Sequence, residues 1–221
     1  GSGLPPPPGV ATATRPTSRI DFHAFMPAGV TPPIPRGRSP NGGPPHAQSL
    51  LSATKSLGLK AVSGLSHAVS TAVITGAGSG IGRAIAIELT THDHEVVIVE
   101  IDEAAGEGTA AAIGEAGGTA RVISCDISNT DSTEAAFSQI ENIDILVNNA
   151  GIAAVGNVES CTPDELDRIY SVNVKGMYHC LHFAIPIMVK GGGGSVINMA
   201  SVASYLGLQD RFAYSMSKGA V

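Results

Sequence analysis

The chain has 221 residues, of which 43% are hydrophobic and only 14% charged, with a formal net charge of −6. That length suffices for one domain with a sizeable core plus additional sequence. The acidic balance argues against a nucleic-acid binder, which presents a basic face, and the longest apolar runs are too short to span a bilayer. The averages conceal two unlike pieces. Residues 1–70 carry six Lys/Arg and one acid, whereas 71–221 carry seven and 18, and twelve of the 14 prolines precede residue 46. Cys125, Cys161 and Cys180 show neither metal-type spacing nor even pairing, which fits a reducing, cytoplasmic setting.

Residues 1–48 read as disorder. Pro5–Pro8, Pro32, Pro33, Pro35, Pro40, Pro44 and Pro45 remove backbone donors and block helix, and too little apolar surface is available to offset chain entropy. Residues 49–70 fit a weak helix or an irregular lead-in. The nearly acid-free Ser/Thr/Arg composition is also that of an organelle transit peptide, which would move the chain out of the cytoplasm. A tail without folded role, or an imperfect gene model, is the blander account. The first 70 residues therefore form a Pro-rich extension to a domain over 71–221.

From Thr71 the pattern changes. TAVIT (71–75) is a β-rich run, followed by glycines and by RAIAIELTTH with helical spacing. EVVIVE (95–100) is a second strand of the buried kind, and the Ala-rich segment 102–118 is a helix ending in glycines. ARVISCD (120–126) is a third strand, Thr130–Ile140 a helix, and IDILVNN (143–149) a fourth strand. Thr162, Pro163, Asp164 and Glu165 open a helix with an N-cap, a first-turn proline and two acids at the positive end of the dipole. That helix extends to near Val189, with Pro186 expected to kink or end it. Gly191–Gly194 turn into a fifth strand, SVINMAS (195–201). Strands alternating with helices imply a doubly wound α/β fold, a Rossmann-type parallel sheet of order 3-2-1-4-5 with right-handed crossovers.

The turn Thr75-Gly76-Ala77-Gly78-Ser79-Gly80-Ile81-Gly82 lies between the first strand and the first helix. Glycines there let the backbone turn sharply and approach a pyrophosphate, which the helix N-terminus then binds. The absence of a Gly-Lys-Ser/Thr ending argues against a triphosphate loop. Glu100, at the end of the second strand, is placed to accept from the adenosine ribose hydroxyls and to repel a 2′-phosphate. Ser79 adds no cation for that phosphate, so NAD is expected over NADP. Asp102 is the rival acid, and a helix N-terminal charge is its simpler role. Asp126 either meets the adenine edge or caps a turn.

Tyr214 and Lys218 are four residues apart and share a helical face. An ammonium beside a phenol favours the phenolate, and such a Tyr exchanges a proton with a carbonyl or alcohol oxygen. Ser201 follows the fifth strand, at the sheet edge where open α/β folds bind ligands. Spacing alone leaves all three open to ordinary surface or capping roles.

Together these segments resemble the short-chain dehydrogenase/reductase family in its classical form. TGAGSGIG (75–82) resembles its cofactor loop, CDIS (125–128) its adenine-contact segment and NNAG (148–151) the motif beside the cofactor. Asn173 in YSVNVKG, Ser201 in INMAS, and Tyr214 and Lys218 in YSMSK resemble its catalytic tetrad. The resemblance covers about Thr71–Val221. It implies an enzyme transferring a hydride between nicotinamide and a secondary alcohol or ketone. In that enzyme Tyr214 is the acid/base. Lys218 stabilises the phenolate and binds the nicotinamide ribose, Ser201 positions the substrate oxygen, and Asn173 holds a water leading from Lys218. Cofactor contacts are implied for Gly76, Gly78, Ser79, Gly80, Ile81, Gly82, Glu100, Asp126, Ile127, Asn148, Ala150, Gly151, Tyr214 and Lys218. Partners would be a small alcohol or carbonyl compound and, for a complete domain, further copies in a dimer or tetramer.

Val221 follows Lys218 by three residues, where family members continue through further strands and a substrate-covering loop. The expected consequences are a short Tyr–Lys helix, an uncovered sheet edge and weak turnover. The alternative function is thus a fragment that binds cofactor or associates with longer subunits. SLGLK (56–60) resembles the segment directly before the first strand, which makes 61–70 look inserted. His179 and His182 flank Cys180 on the long helix, and surface or packed positions suit them better than metal ligation.

Overall fold

Successive residues of a strand point to opposite faces of its sheet, so an uninterrupted apolar strand needs cover on both sides. The computed structural model describes residues 70–221, and 19–24 as backbone. The readings of 1–18 and 25–69, including the displaced SLGLK segment, lie outside the described residues.

In chain order the elements are β1 (Arg19–Ala24), β2 (Ser70–Thr75), α1 (Gly80–Thr90), β3 (His94–Glu100), α2 (Glu103–Glu115) and β4 (Ala120–Ser124). There follow α3 (Thr130–Phe137), β5 (Ile145–Asn148), α4 (Pro163–Tyr170), a π-helical turn (Ser171–Gly176), α5 (Met177–Gly191), β6 (Gly193–Asn198) and α6 (Phe212–Ala220). The sheet runs β1-β6-β5-β2-β3-β4 and every pairing is parallel. Without β1, the remaining five strands have the expected 3-2-1-4-5 order.

Val73, Val97, Val99, Leu146 and Val196 face one way and pack on Phe137 of α3 and on Cys180, Ala184 and Met188 of α5. Ala72, Ile74, Val96, Ile98 and Val147 face the other way, onto Ala86 of α1 and Ile113 of α2. Both layers exclude water, and all of these side chains are at most 4% exposed. Local chemistry sets the helix starts. Asp102, Asn129 and Thr162 accept from the backbone N–H groups of Ala105, Ser132 and Glu165, and Pro163 opens α4.

Three expectations need correction. Arg19–Ala24, read as part of a disordered stretch, pairs in register with Gly193–Asn198. The far edge of β6, expected to lie bare, therefore carries β1. Main-chain pairing supplies what the proline-rich surroundings obscured. Of the two outcomes expected at Pro186, a kink or an end, the end is excluded, because α5 continues to Gly191 and closes on Gly192 with φ of 106°. The long helix also changes pitch over Ser171–Gly176 instead of running evenly.

Candidate active site

The turn from β2 into α1 is shaped by backbone geometry. Gly76 has φ of +66°, and a Cβ there would stand 2.8 Å from Ala150 Cα. A Cβ on Gly82 would run into Gly76 O and Asn149 Nδ2. The segment after β5 locks this turn. Asn149 Nδ2 donates to Thr75 O at 2.9 Å and Gly76 O at 3.0 Å, while Thr75 Oγ1 accepts from the N–H groups of Asn149 and Ala150. Buried Thr109 of α2 donates to Ala77 O at 2.9 Å.

Around this turn opens a cleft of about 450 Å³, within the usual range for cofactor sites. It is lined by Gly76, Ser79–Gly82, Glu100, Cys125–Ile127 and Asn149–Ile152, with Val99, Ile101 and Val172. Ile81 and Ile101 are 63% and 67% exposed, leaving two large apolar side chains bare beside the cleft. Glu100 is fixed by its own surroundings. Its Oε2 accepts from Gly78 N at 2.8 Å and its Oε1 from Ile101 N at 2.9 Å. Asp102 spends its carboxylate on Ala105 N as a helix cap. Asp126 Oδ1 accepts from both the backbone and the hydroxyl of Ser128, a turn role that leaves Oδ2 uncommitted among the described residues.

At the other end, the π turn carries Asn173 into a fully bonded position. Its Oδ1 accepts from Ile152 N at 2.8 Å, and its Nδ2 donates to Ile152 O and to Ser217 Oγ, each at 2.9 Å. Such turns recur where a helix must reorient one side chain. Lys218 is 7% exposed, and its Nζ donates to Met199 O at 2.6 Å. Burial holds this ammonium below the usual lysine range. A Cβ on Gly151 would meet Asn173 Oδ1 at 3.2 Å and Lys218 Nζ at 3.5 Å, so the lysine head abuts the cleft where Gly151 lines it. Ser201 Oγ accepts from Ala203 N at 3.2 Å and retains its proton. Tyr214 is half-buried on α6, one turn before Lys218.

The model of the short chain dehydrogenase family matches residues 70–221, more than half of the chain. The chain belongs to that family. The chain is 38% identical over 152 residues to an uncharacterized oxidoreductase of Thermotoga maritima, covering 67% of this chain and 60% of that relative. Among solved structures, a metagenomic short-chain oxidoreductase in complex with NADP is 34% identical with a TM-score of 0.66, over 68% of this chain and 71% of that one. An NAD+-bound xylitol dehydrogenase is 30% identical, also with a TM-score of 0.66, over 68% and 60%.

Of the site residues read from sequence, Gly76, Ser79, Gly80, Ile81, Gly82, Glu100, Asp126, Ile127, Ala150 and Gly151 come together in one cleft. Asn173 and Lys218 meet at its Gly151 end. Gly78 does not line the cleft but closes on Glu100. Asn148 is buried in the sheet, where its Nδ2 donates to Asn198 Oδ1 at 2.9 Å. Sequence reasoning passed over Thr75, Thr109, Asn149 and Ser217. For Asn149 the signal was adjacency to the glycine-turn partners in NNAG, and for Ser217 it was a small polar residue inside YSMSK. Cys125 and Cys180 are core thiols, and burial pushes both upward from the usual thiol range.

Proposed function

We propose that this chain carries the cofactor and proton-transfer site of an NAD-dependent oxidoreductase acting on a secondary alcohol or the matching ketone. The observation that carries the reading is the position of the Lys218 ammonium against Gly151, at one end of a cleft whose other parts are the glycine turn and Glu100. When bound, the nicotinamide supplies the redox chemistry. The remaining work falls to the protein.

The residues present fit a dinucleotide. The cleft brings a helix N-terminus and a close-approach turn to the place a pyrophosphate would take. Exposed Ile81 and Ile101 give apolar cover beside it. Among the described residues, no lining residue is Lys or Arg, and the lining acids are Glu100 and Asp126. A 2′-phosphate would meet the Glu100 carboxylate without a compensating cation, so NAD is favoured over NADP.

The Tyr214 phenolate takes the proton of an alcohol, or, in reverse, the Tyr214 hydroxyl gives its proton to a ketone oxygen. Lys218 has spent one of its three donors on Met199 O, and two remain for ribose hydroxyls and for a water. Its charge, little screened by solvent, stabilises a Tyr214 phenolate. Ser201 donates its retained proton to the substrate oxygen. Asn173 has no amide proton left to give, so a water beside Lys218 rests on a second Oδ1 lone pair or on a backbone carbonyl.

The test combines binding with turnover. NAD is expected to raise the melting temperature of wild type and of Tyr214→Phe alike, while NADH formation from a panel of secondary alcohols is lost in the variant. Wild-type protein whose melting is unmoved by NAD, or a Tyr214→Phe variant that still forms NADH, would overturn the proposal.

A further inference from the structure

His179 was singled out in the sequence and then left without a role, yet it is the side chain that ties the long helix to the wall of the cleft. Its Nδ1 lies 2.8 Å from Ile127 O, and its Nε2 lies 3.1 Å from Thr130 Oγ1. A carbonyl only accepts, so Nδ1 carries the proton and donates. Nε2 of the neutral ring then accepts from the Thr130 hydroxyl. One ring thus clamps both ends of the Ile127–Thr130 segment.

That segment forms part of the cleft. Asp126 and Ile127 line it, and Asp126 Oδ1 is already engaged by Ser128, which aims the rest of the carboxylate. Below them, the last residue of the π turn, just before α5, approaches closely. A Cβ on Gly176 would lie 2.8 Å from Ile127 Cδ1, so the wall rests on the helix with no room for slack. Ile127, 7% exposed, has for its carbonyl one other partner among the described residues, a long 3.4 Å bond from Thr133 Oγ1, whose proton is better placed on Asn129 O at 2.8 Å, so loss of His179 leaves this carbonyl poorly satisfied. Without His179 the least costly response is for the Asp126–Ile127 backbone to shift toward solvent, into the cleft.

We infer that His179 is a positioning residue for adenine recognition, holding Asp126 and Ile127 in place through the Ile127 carbonyl without touching the cofactor. This rests on the reading of the cleft as a dinucleotide site. The ring belongs to the helix that follows the Asn173 turn, so one rigid element orders the adenine end and the proton-transfer end together.

The test uses the 6-amino group of adenine, the donor that Asp126 would accept from. Dissociation constants for NAD and for nicotinamide hypoxanthine dinucleotide, which lacks that group, are measured by calorimetry on the full chain. Wild type is expected to favour NAD by roughly tenfold, the discrimination of one hydrogen bond to a charged group. His179→Phe keeps a ring and loses both bonds, and is expected to bring the ratio close to one. His179→Asn restores a donor near the Nδ1 position and should recover most of it. General loss of stability lowers both affinities together and leaves the ratio alone, so the ratio isolates positioning. A ratio unchanged in His179→Phe, or absent already in wild type, overturns the inference. Should His179→Phe fail to fold, His179→Leu carries the same expectation, and failure of both while His179→Asn folds and discriminates supports the clamp. Wild type binding neither dinucleotide would instead overturn the cofactor reading itself.

Discussion

Lys218 combines a charge, a buried position and a short bond to Met199 O. Burial favours its neutral form, so the folded chain releases this proton at lower pH than the unfolded chain does. Between the lowered folded value and the usual lysine value, the unfolded state binds more protons. Stability contributed at this position therefore rises with pH across that alkaline interval. Lys218→Met removes the titration, and the melting temperature of wild type relative to the variant is expected to climb as pH is raised there. A relative fall would contradict the burial. The same residue scale explains the limits of sequence reading. The pairing of Tyr214 with Lys218 was legible because both lie on one helix, four residues apart, whereas Ser201, in the loop after β6, joined them only through the family resemblance. Ser217 was not, because its work is a bond to Asn173, 44 residues away in sequence. Asn148 was named from the sequence and Asn149 was not, because strand register, which turns Asn148 toward Asn198 and leaves Asn149 facing the glycine turn, is set by tertiary pairing.

Among the elements, the turn between β2 and α1 depends on a contact that only a missing side chain permits. Gly82→Ala sets a methyl group against Gly76 O and Asn149 Nδ2. Forcing that atom in is expected to cost about 1–3 kcal/mol and to lower NAD affinity at least tenfold, read by thermal melting and calorimetry. An alanine variant with wild-type affinity would show that the turn has slack. The five strands from β2 onward and the helices between them follow from apolar runs broken by glycine and by capping residues, and the sequence displays those openly. The π turn is different. SVNVKG contains no local signal for an altered pitch. Asn173 is bonded to Ile152 and Ser217, and Gly176 is wedged beneath Ile127, so tertiary contacts set the pitch. Likewise, Ile20, Phe22 and Ala24 alternate as a strand would, but the proline-rich flanks outweighed six residues of pattern.

For the molecule as a whole, β1 decides how the sheet ends. Among the described residues it pairs with β6 alone, on one side, and neighbouring N–H groups along a strand point in opposite directions. Proline at Asp21 or at Phe22 should therefore have unequal effects. One of the two loses a ladder bond and is expected to cost about 1–3 kcal/mol, while the other is nearly silent in thermal melting. Two silent substitutions would show that this strand contributes nothing to the sheet. Its place also fixes a sequence of events in synthesis. Arg19 lies opposite Gly193, so this segment has no β6 to pair with until the whole intervening chain has been made. Parallel pairing over such a separation closes late. Until then the nascent chain holds an open hydrogen-bonding rim on each prospective partner, and this interval is when a holding chaperone has most to protect.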